Sequence, residues 1–217
     1  MFDLSSKTKV NRKFRLTELY KMMQADKDIK ADAKNIVSIV LTNVLSPDTM
    51  NIPSTGKVKE VYVLELQLSS RTIPALFISA LDKAINLHTI FVLRYNSDSL
   101  LYGCYKEKTE KGVKLGKYYS TQWSSENILV KLPLSIASIE DIYTAIIDEL
   151  IPITANQDEK TADFVERYDR ITKLQKEIEK KQKQLGAETQ SKRRFEINDE
   201  LKALKKELNV LESPEEN

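Results

Sequence analysis

This chain is short of the residues that most catalytic sites are built from. Among 217 residues there are five Gly, one His, one Cys and one Trp, and positive and negative side chains almost cancel at +2. The glycines stand singly at positions 56, 103, 112, 116 and 186. That spacing forms neither a Walker A loop nor a GxGxxG turn, so a glycine-rich phosphate cradle is excluded. One His and one Cys cannot supply a Cys/His zinc site or a redox CxxC pair. His88 and Cys104 are the one conceivable Cys/His dyad, and His88 opens a strand, where a lone imidazole is ordinarily structural. Cys104 has no partner for an internal disulfide, as in proteins of a reducing compartment. The longest apolar run, around Ile36 to Leu45, is interrupted by Ser38, Thr42 and Asn43 and falls short of a membrane span. The N-terminus lacks the apolar centre of a secretory signal. A cytoplasmic protein is expected.

What is present reads as an α+β body followed by a helical tail. Lys7, Lys9, Arg12, Lys13 and Arg15 make a basic N-terminal stretch, read as an arm or a solvated lead-in. Leu16, Leu19, Tyr20 and Met23 recur at helical spacing. A second helix is expected from Asp28 to Leu45, on the apolar set Ile29, Ala33, Ile36, Val37, Val40, Leu41 and Val44, stopped by Ser46-Pro47-Asp48. Lys59 to Leu68 has strand character, with Leu64, Leu66 and Leu68 alternating with Glu65 and Gln67. A helix with Pro74 in its first turn and a strand from Thr89 to Tyr95 complete a crossover unit, which makes the two strands parallel. Leu100 to Lys106 and Val113 to Trp123 read as an antiparallel hairpin. Ser138 and Asp141 signal the start of a helix that ends near Pro152. The fold class is therefore α+β: a small mixed sheet with one parallel crossover and one antiparallel hairpin, packed with helices.

Composition changes after the body, which is placed at residues 1–157. Residues 158–212 hold no Pro and one Gly, and residues 158–217 carry a net charge of −1. Phe164, Ile171, Ile178 and Leu185 recur every seven residues, and Ile197, Leu201, Leu204, Leu208 and Leu211 alternate steps of four and three. Such spacing belongs to coiled coils. The two stripes are out of register across Leu185-Gly186-Ala187, which favours an antiparallel helical hairpin over one long helix. A continuous helix would instead suit parallel dimerisation, so the oligomeric state stays open. The charge balance favours a protein partner for this tail, with Arg193, Arg194 and Phe195 as candidate contacts.

Two other functions have residues to support them. Nucleases of the PD-(D/E)xK type hold Mg²⁺ with an Asp and a Glu, and a Lys two residues after the Glu aids the attacking water. Pro47-Asp48 followed by Glu65-Leu66-Gln67 resembles that order, with Gln67 in place of the Lys; no other cofactor is implied. Alternatively, basic clusters at Lys7 to Arg15, at Lys106, Lys108, Lys111, Lys114 and Lys117, and at Lys192-Arg193-Arg194 could grip phosphates of DNA or RNA; the second is interleaved with tyrosines and followed by Trp123, which could stack bases.

The stretches Leu45 to Pro53 and Val58 to Val63, Leu81-Asp82-Lys83-Ala84-Ile85, Ile90 to Tyr95, Tyr105-Lys106 and Thr121-Gln122-Trp123 resemble bacterial proteins of the domain of unknown function 4391 family. Arg193-Arg194-Phe195-Glu196-Ile197-Asn198 with Glu200-Leu201 is similar to the helical ending of that family. The resemblance implies an accessory, non-catalytic subunit of a restriction-type antiviral defence complex, partnered with a helicase or DNA methyltransferase. DNA would be contacted directly or through that partner. It carries over no catalytic residues; some relatives have Lys where Gln67 stands.

Overall fold

The computed structural model describes residues 4, 6–53, 56–110, 112–125 and 137–213, with only the backbone of residue 108. The chain divides into two compact units, Met1–Pro152 and Ile153–Asn217.

The first unit is a six-stranded sheet whose strands lie in chain order: β1 (Lys9–Phe14), β2 (Ile36–Leu45), β3 (Val61–Leu68), β4 (His88–Tyr95), β5 (Asp98–Thr109) and β6 (Gly112–Ser120). Only β3 and β4 run parallel; the other neighbours are antiparallel. The parallel pair is joined through α4 (Ala75–Ile85), as the crossover spacing requires. Pro74 stands at the N-cap of α4, and Asp32 Oδ2 accepts from the Phe77 amide at 3.0 Å, satisfying one of its open donors.

Two expectations for the N-terminal third are corrected. The basic lead-in is ordered as β1, the exposed edge strand paired with β2. The helix expected over 28–45 is real only at its start. Asp26 caps a short α2 (Lys27–Asp32) by accepting from the Ile29 amide at 2.9 Å. A 3-10 turn follows, and Ile36 onward is strand β2. The physical reason lies in side-chain branching: six of the ten β2 residues are Ile, Val or Thr, stiff at χ1 and suited to a pleated surface. A strand lined with apolar residues on both faces also satisfies helical spacing by accident. Ser46-Pro47 does not end a helix. Ser46 and Thr49 cap each other reciprocally and open α3 (Pro47–Met50).

One face of the sheet packs on α1 (Leu16–Met22) and α4. Leu64, Leu66, Leu68, Phe91 and Leu93 meet Leu19, Phe77, Ile78 and Leu81 there. The opposite face carries α5 (Ile139–Leu150), opened by the expected Ser138/Asp141 capping box. Gly103 lets α5 approach closely, since a Cβ there would lie 3.2 Å from Leu150 Cδ1 and 3.1 Å from Ile90 Cδ1.

The second unit contains α6 (Thr161–Ala187) and α7 (Ser191–Glu212). They pack antiparallel, burying Ile178 against Ile197 and Leu201, with Leu185, Leu204 and Leu208 alongside. Arg170 reaches Glu207 and Lys181 reaches Glu200 across the pair. The reversal comes at Glu188 to Gln190; Gly186 itself is still helical. Among the described residues, no helix is long and apolar enough to cross a membrane.

Candidate functional site

The β5–β6 hairpin was the strongest nucleic-acid candidate in the sequence, and the structure takes its first lysine out of that set. Strand alternation turns Leu100, Tyr102, Cys104 and Lys106 toward α4. Lys106 is an inward residue with a fully buried side chain. Its ammonium pairs with Asp82 of α4 and donates to the Leu87 carbonyl at 2.8 Å. Tyr118, opposite Cys104 on β6, donates its hydroxyl to the other Asp82 oxygen at 2.7 Å. Cys104 Sγ lies 3.9 Å from that same oxygen. A buried carboxylate is thus matched by one cation and one hydroxyl, the arrangement that makes burial of charge tolerable.

Burial sets the electrostatics of this cluster. It pushes the Cys104 thiol up to about 12, away from nucleophilic use. It also raises the Tyr118 hydroxyl, aided by the nearby Asp82 charge, and lowers Lys106 against the opposing pull of Asp82. His88 does not join Cys104. It pairs with Val61 of β3, on the face away from α4, and its ring meets the edge of Tyr143 from α5 at 4.8 Å between centroids. The sheet therefore separates the one conceivable Cys/His dyad.

From the α5 side, Tyr143 completes the sheet. Its hydroxyl accepts from the Lys106 amide and donates to the Cys104 carbonyl, both at 2.9 Å. These groups flank Tyr105, beyond the last β4–β5 pair at Phe91 and Tyr102 and beside a bulge in the β5–β6 register. One tyrosine hydroxyl does there what a neighbouring strand would have done.

The remaining hairpin candidates are scattered in environment. Lys114 is exposed, with Nζ 3.8 Å from Glu107. Lys117 is exposed and lies over the Tyr119 ring at 5.3 Å. Tyr102 and Tyr118 stack on each other at 5.1 Å, and Trp123 is half-buried against the core, so these aromatics serve packing. Lys111 and the Lys108 side chain lie outside the described residues.

The metal-site candidates are not brought together. Glu65 is mid-strand, opposite Val40, whereas Asp48 follows the end of β2, where Leu45 opposes Val61. Val61 and Glu65 are four positions apart on β3, about 13 Å along the strand. Glu65 instead accepts from Arg94 Nε on β4 at 2.6 Å, and Gln67 lies half-buried beside it. Among the described residues, no group of three His, Cys, Asp or Glu is placed to hold a metal ion.

On α7, Phe195 is 65% exposed. Arg193 Nε lies 3.5 Å from Glu188, and Arg194 donates to the Glu188 carbonyl at 3.1 Å. These two contacts tie the start of α7 to the turn before it.

Sequence reasoning missed the Asp82 cluster, although α4 carried a signal. Asp82 falls four residues after Ile78, within the set Phe77, Ile78, Leu81, Asp82 that α4 buries. A carboxylate on an apolar helical stripe needs a buried partner.

Comparison with known proteins adds one match. The family model described as "Domain of unknown function (DUF4391)" matches residues 2–208, and the chain belongs to that family. No curated protein and no solved structure matches.

Proposed function

We propose that this DUF4391 member is a non-catalytic accessory subunit that joins a bacterial helicase- or DNA-methyltransferase-containing defence complex in the cytoplasm, with its helical tail as the docking arm. The observation that carries this reading is the exposed Phe195, flanked by two arginines at the start of α7. Aromatic and Arg side chains supply most of the affinity at protein interfaces. An aromatic ring left in water is a cost that partner binding recovers. The Asp82–Lys106 pair supports the non-catalytic part, because neither side chain has any solvent exposure and neither meets a substrate without opening the core.

The test is co-purification of the full chain with the products of its neighbouring genes, using Phe195→Glu and Arg194→Glu. Both substitutions fall on exposed positions of α7, so the helix pair should persist by circular dichroism. Loss of the partner in both variants supports the docking arm. Undiminished association in both removes the tail from the interface.

A further inference from the structure

Edge strand β1 contributes little to the core, for it is exposed from Lys9 through Lys13. It lies within the basic stretch Lys7, Lys9, Arg12, Lys13 and Arg15, nine residues without an acid. Register decides which way these cations face. Lys9 stands opposite Asn43 and Lys13 opposite Val40, while Val40 stands opposite Glu65 and Glu65 beside Val92. Paired residues share a face, and residues two apart share it too. Lys9, Lys13, Glu65 and Arg94 are therefore on one face of the sheet, the face away from α4.

A cleft of about 320 Å³ lies on that face, lined by Lys9, Asn11, Thr42, Asn43, Glu65 and Arg94 with Leu4 and valine side chains between them. Much of its polar capacity is already committed. Asn43 donates to Thr8 Oγ1 at 2.8 Å, Thr42 donates to the Val63 carbonyl at 3.1 Å, and Arg94 Nε donates to Glu65 at 2.6 Å. The open donors suit an anion, while the Glu65 Oε1 and the Asn11 and Asn43 amide oxygens are acceptors in the same cleft. The Lys9 ammonium, the Asn11 amide and the terminal nitrogens of Arg94 have no partner among the described residues. The Arg94 side chain is only 20% exposed, so its open donors face a confined space. Glu65 cancels one of the two cleft cations, leaving an excess of positive charge that Lys13 extends.

We propose that this cleft and the adjoining β1 face bind the phosphodiester backbone of a nucleic acid. A half-buried guanidinium with two open nitrogens, set near an ammonium, is suited to phosphate oxygens. The cations continue past the cleft, and Lys9 to Lys13 spans about 13 Å along the strand, further than a single phosphate reaches. That length selects a polyanion over a lone phosphate. An acidic peptide adding as a seventh strand is disfavoured by β1 itself. Its register shifts between Lys9 and Arg12, and Asn11 adopts φ 51°, which breaks the row of edge donors and acceptors such a peptide needs.

Fluorescence anisotropy on the full chain tests the proposal, with a labelled single strand of about 16 nucleotides and the matching duplex, at about 50 mM salt. Competitors are free AMP and polyglutamate. Lys9→Glu/Lys13→Glu alters two exposed side chains without partners among the described residues, and Arg94→Lys keeps the charge but loses the fork. Lys114→Glu/Lys117→Glu on the β5–β6 hairpin is the comparison. The expected result is binding of the strand or the duplex that weakens at least about tenfold in Lys9→Glu/Lys13→Glu. The slope of log affinity against log salt should fall by about 1.4–1.8, that of two lost phosphate contacts. Arg94→Lys should weaken binding, and the hairpin variant should bind normally. Four results would overturn the proposal: no binding at low salt, a loss confined to the hairpin variant, equal competition by AMP, or equal competition by polyglutamate.

Discussion

Lys106 of β5 and Asp82 of α4 form an ion pair in which neither side chain has any solvent exposure. The pair ties the crossover helix to the antiparallel half of the sheet, and Tyr118 brings the last strand into the same contact. A pair of this kind is costly to break and much cheaper to replace whole. Lys106→Met leaves a buried carboxylate without its cation, and should lose about 3–5 kcal/mol in urea unfolding. The triple replacement Lys106→Met, Asp82→Leu, Tyr118→Phe removes every charged or hydroxyl member together and should recover most of that loss. A single variant within about 1 kcal/mol of the parent would show that the pair is not buried in solution.

Cys104 should be silent to thiol reagents in the folded protein and reactive once it is unfolded. Burial raises its thiol from 9.0 to about 12. The folded state therefore holds the proton more tightly than the unfolded chain, and this contribution to stability is complete below pH 9 and lost as pH rises toward 12. Tyr118 and Tyr143, both raised from 10.0, act in the same direction. Lys106, lowered from 10.5, acts in the opposite one and gains stability as pH rises toward that value. Tyr62 and Tyr102 are raised as well, so five groups oppose Lys106 and the melting temperature should fall across this alkaline range, less steeply in Cys104→Ala. Rapid labelling of the native thiol at neutral pH would contradict the burial.

Arg167 locks the open end of the helix pair. Its guanidinium donates to both Glu159 oxygens at 2.8 Å, to the Thr154 carbonyl at 2.8 Å and to the Leu211 carbonyl at 3.0 Å. Lys cannot reproduce that planar fork, so Arg167→Lys and Arg167→Ala should both loosen the C-terminal turn of α7, by about 1–3 kcal/mol. The hydrogen bond from Arg167 holds the Glu159 carboxyl below its usual 4.5. Its stabilising effect is therefore present above pH 4.5 and disappears as pH falls through the lowered value. Amide exchange in residues 205–212 should report this, with protection lost in acid by the parent and already low in Arg167→Ala. Equal protection in both would assign the closure to the apolar stripe alone.

Legibility from sequence followed the range of the interactions concerned. The Ser138/Asp141 cap, the alternation of β3 and the seven-residue spacing of α6 are local patterns, and each element formed where it was expected. The parallel β3–β4 pair was also readable, because the length of chain between the strands permits a crossover and not a tight turn. The Ile36–Leu45 segment was not, since its apolar residues satisfy two periodicities and pairing with β1 and β3 selects between them.

The same division applies to chemistry. Scarcity of Gly, His and Cys by itself excluded glycine-rich phosphate loops, Cys/His zinc sites and CxxC redox pairs, because those sites demand particular residue types whatever the fold. Where a given Lys would end up was decided only by tertiary structure. Lys106 and Lys114 look alike in a charged hairpin sequence, yet one faces a helix carrying Asp82 and the other faces water. Likewise Lys9 and Lys13, part of one basic cluster among three in the sequence, gain the company of Arg94 only through three successive strand pairings. Register turns a side chain to one face or the other, and register is set by strands distant in sequence.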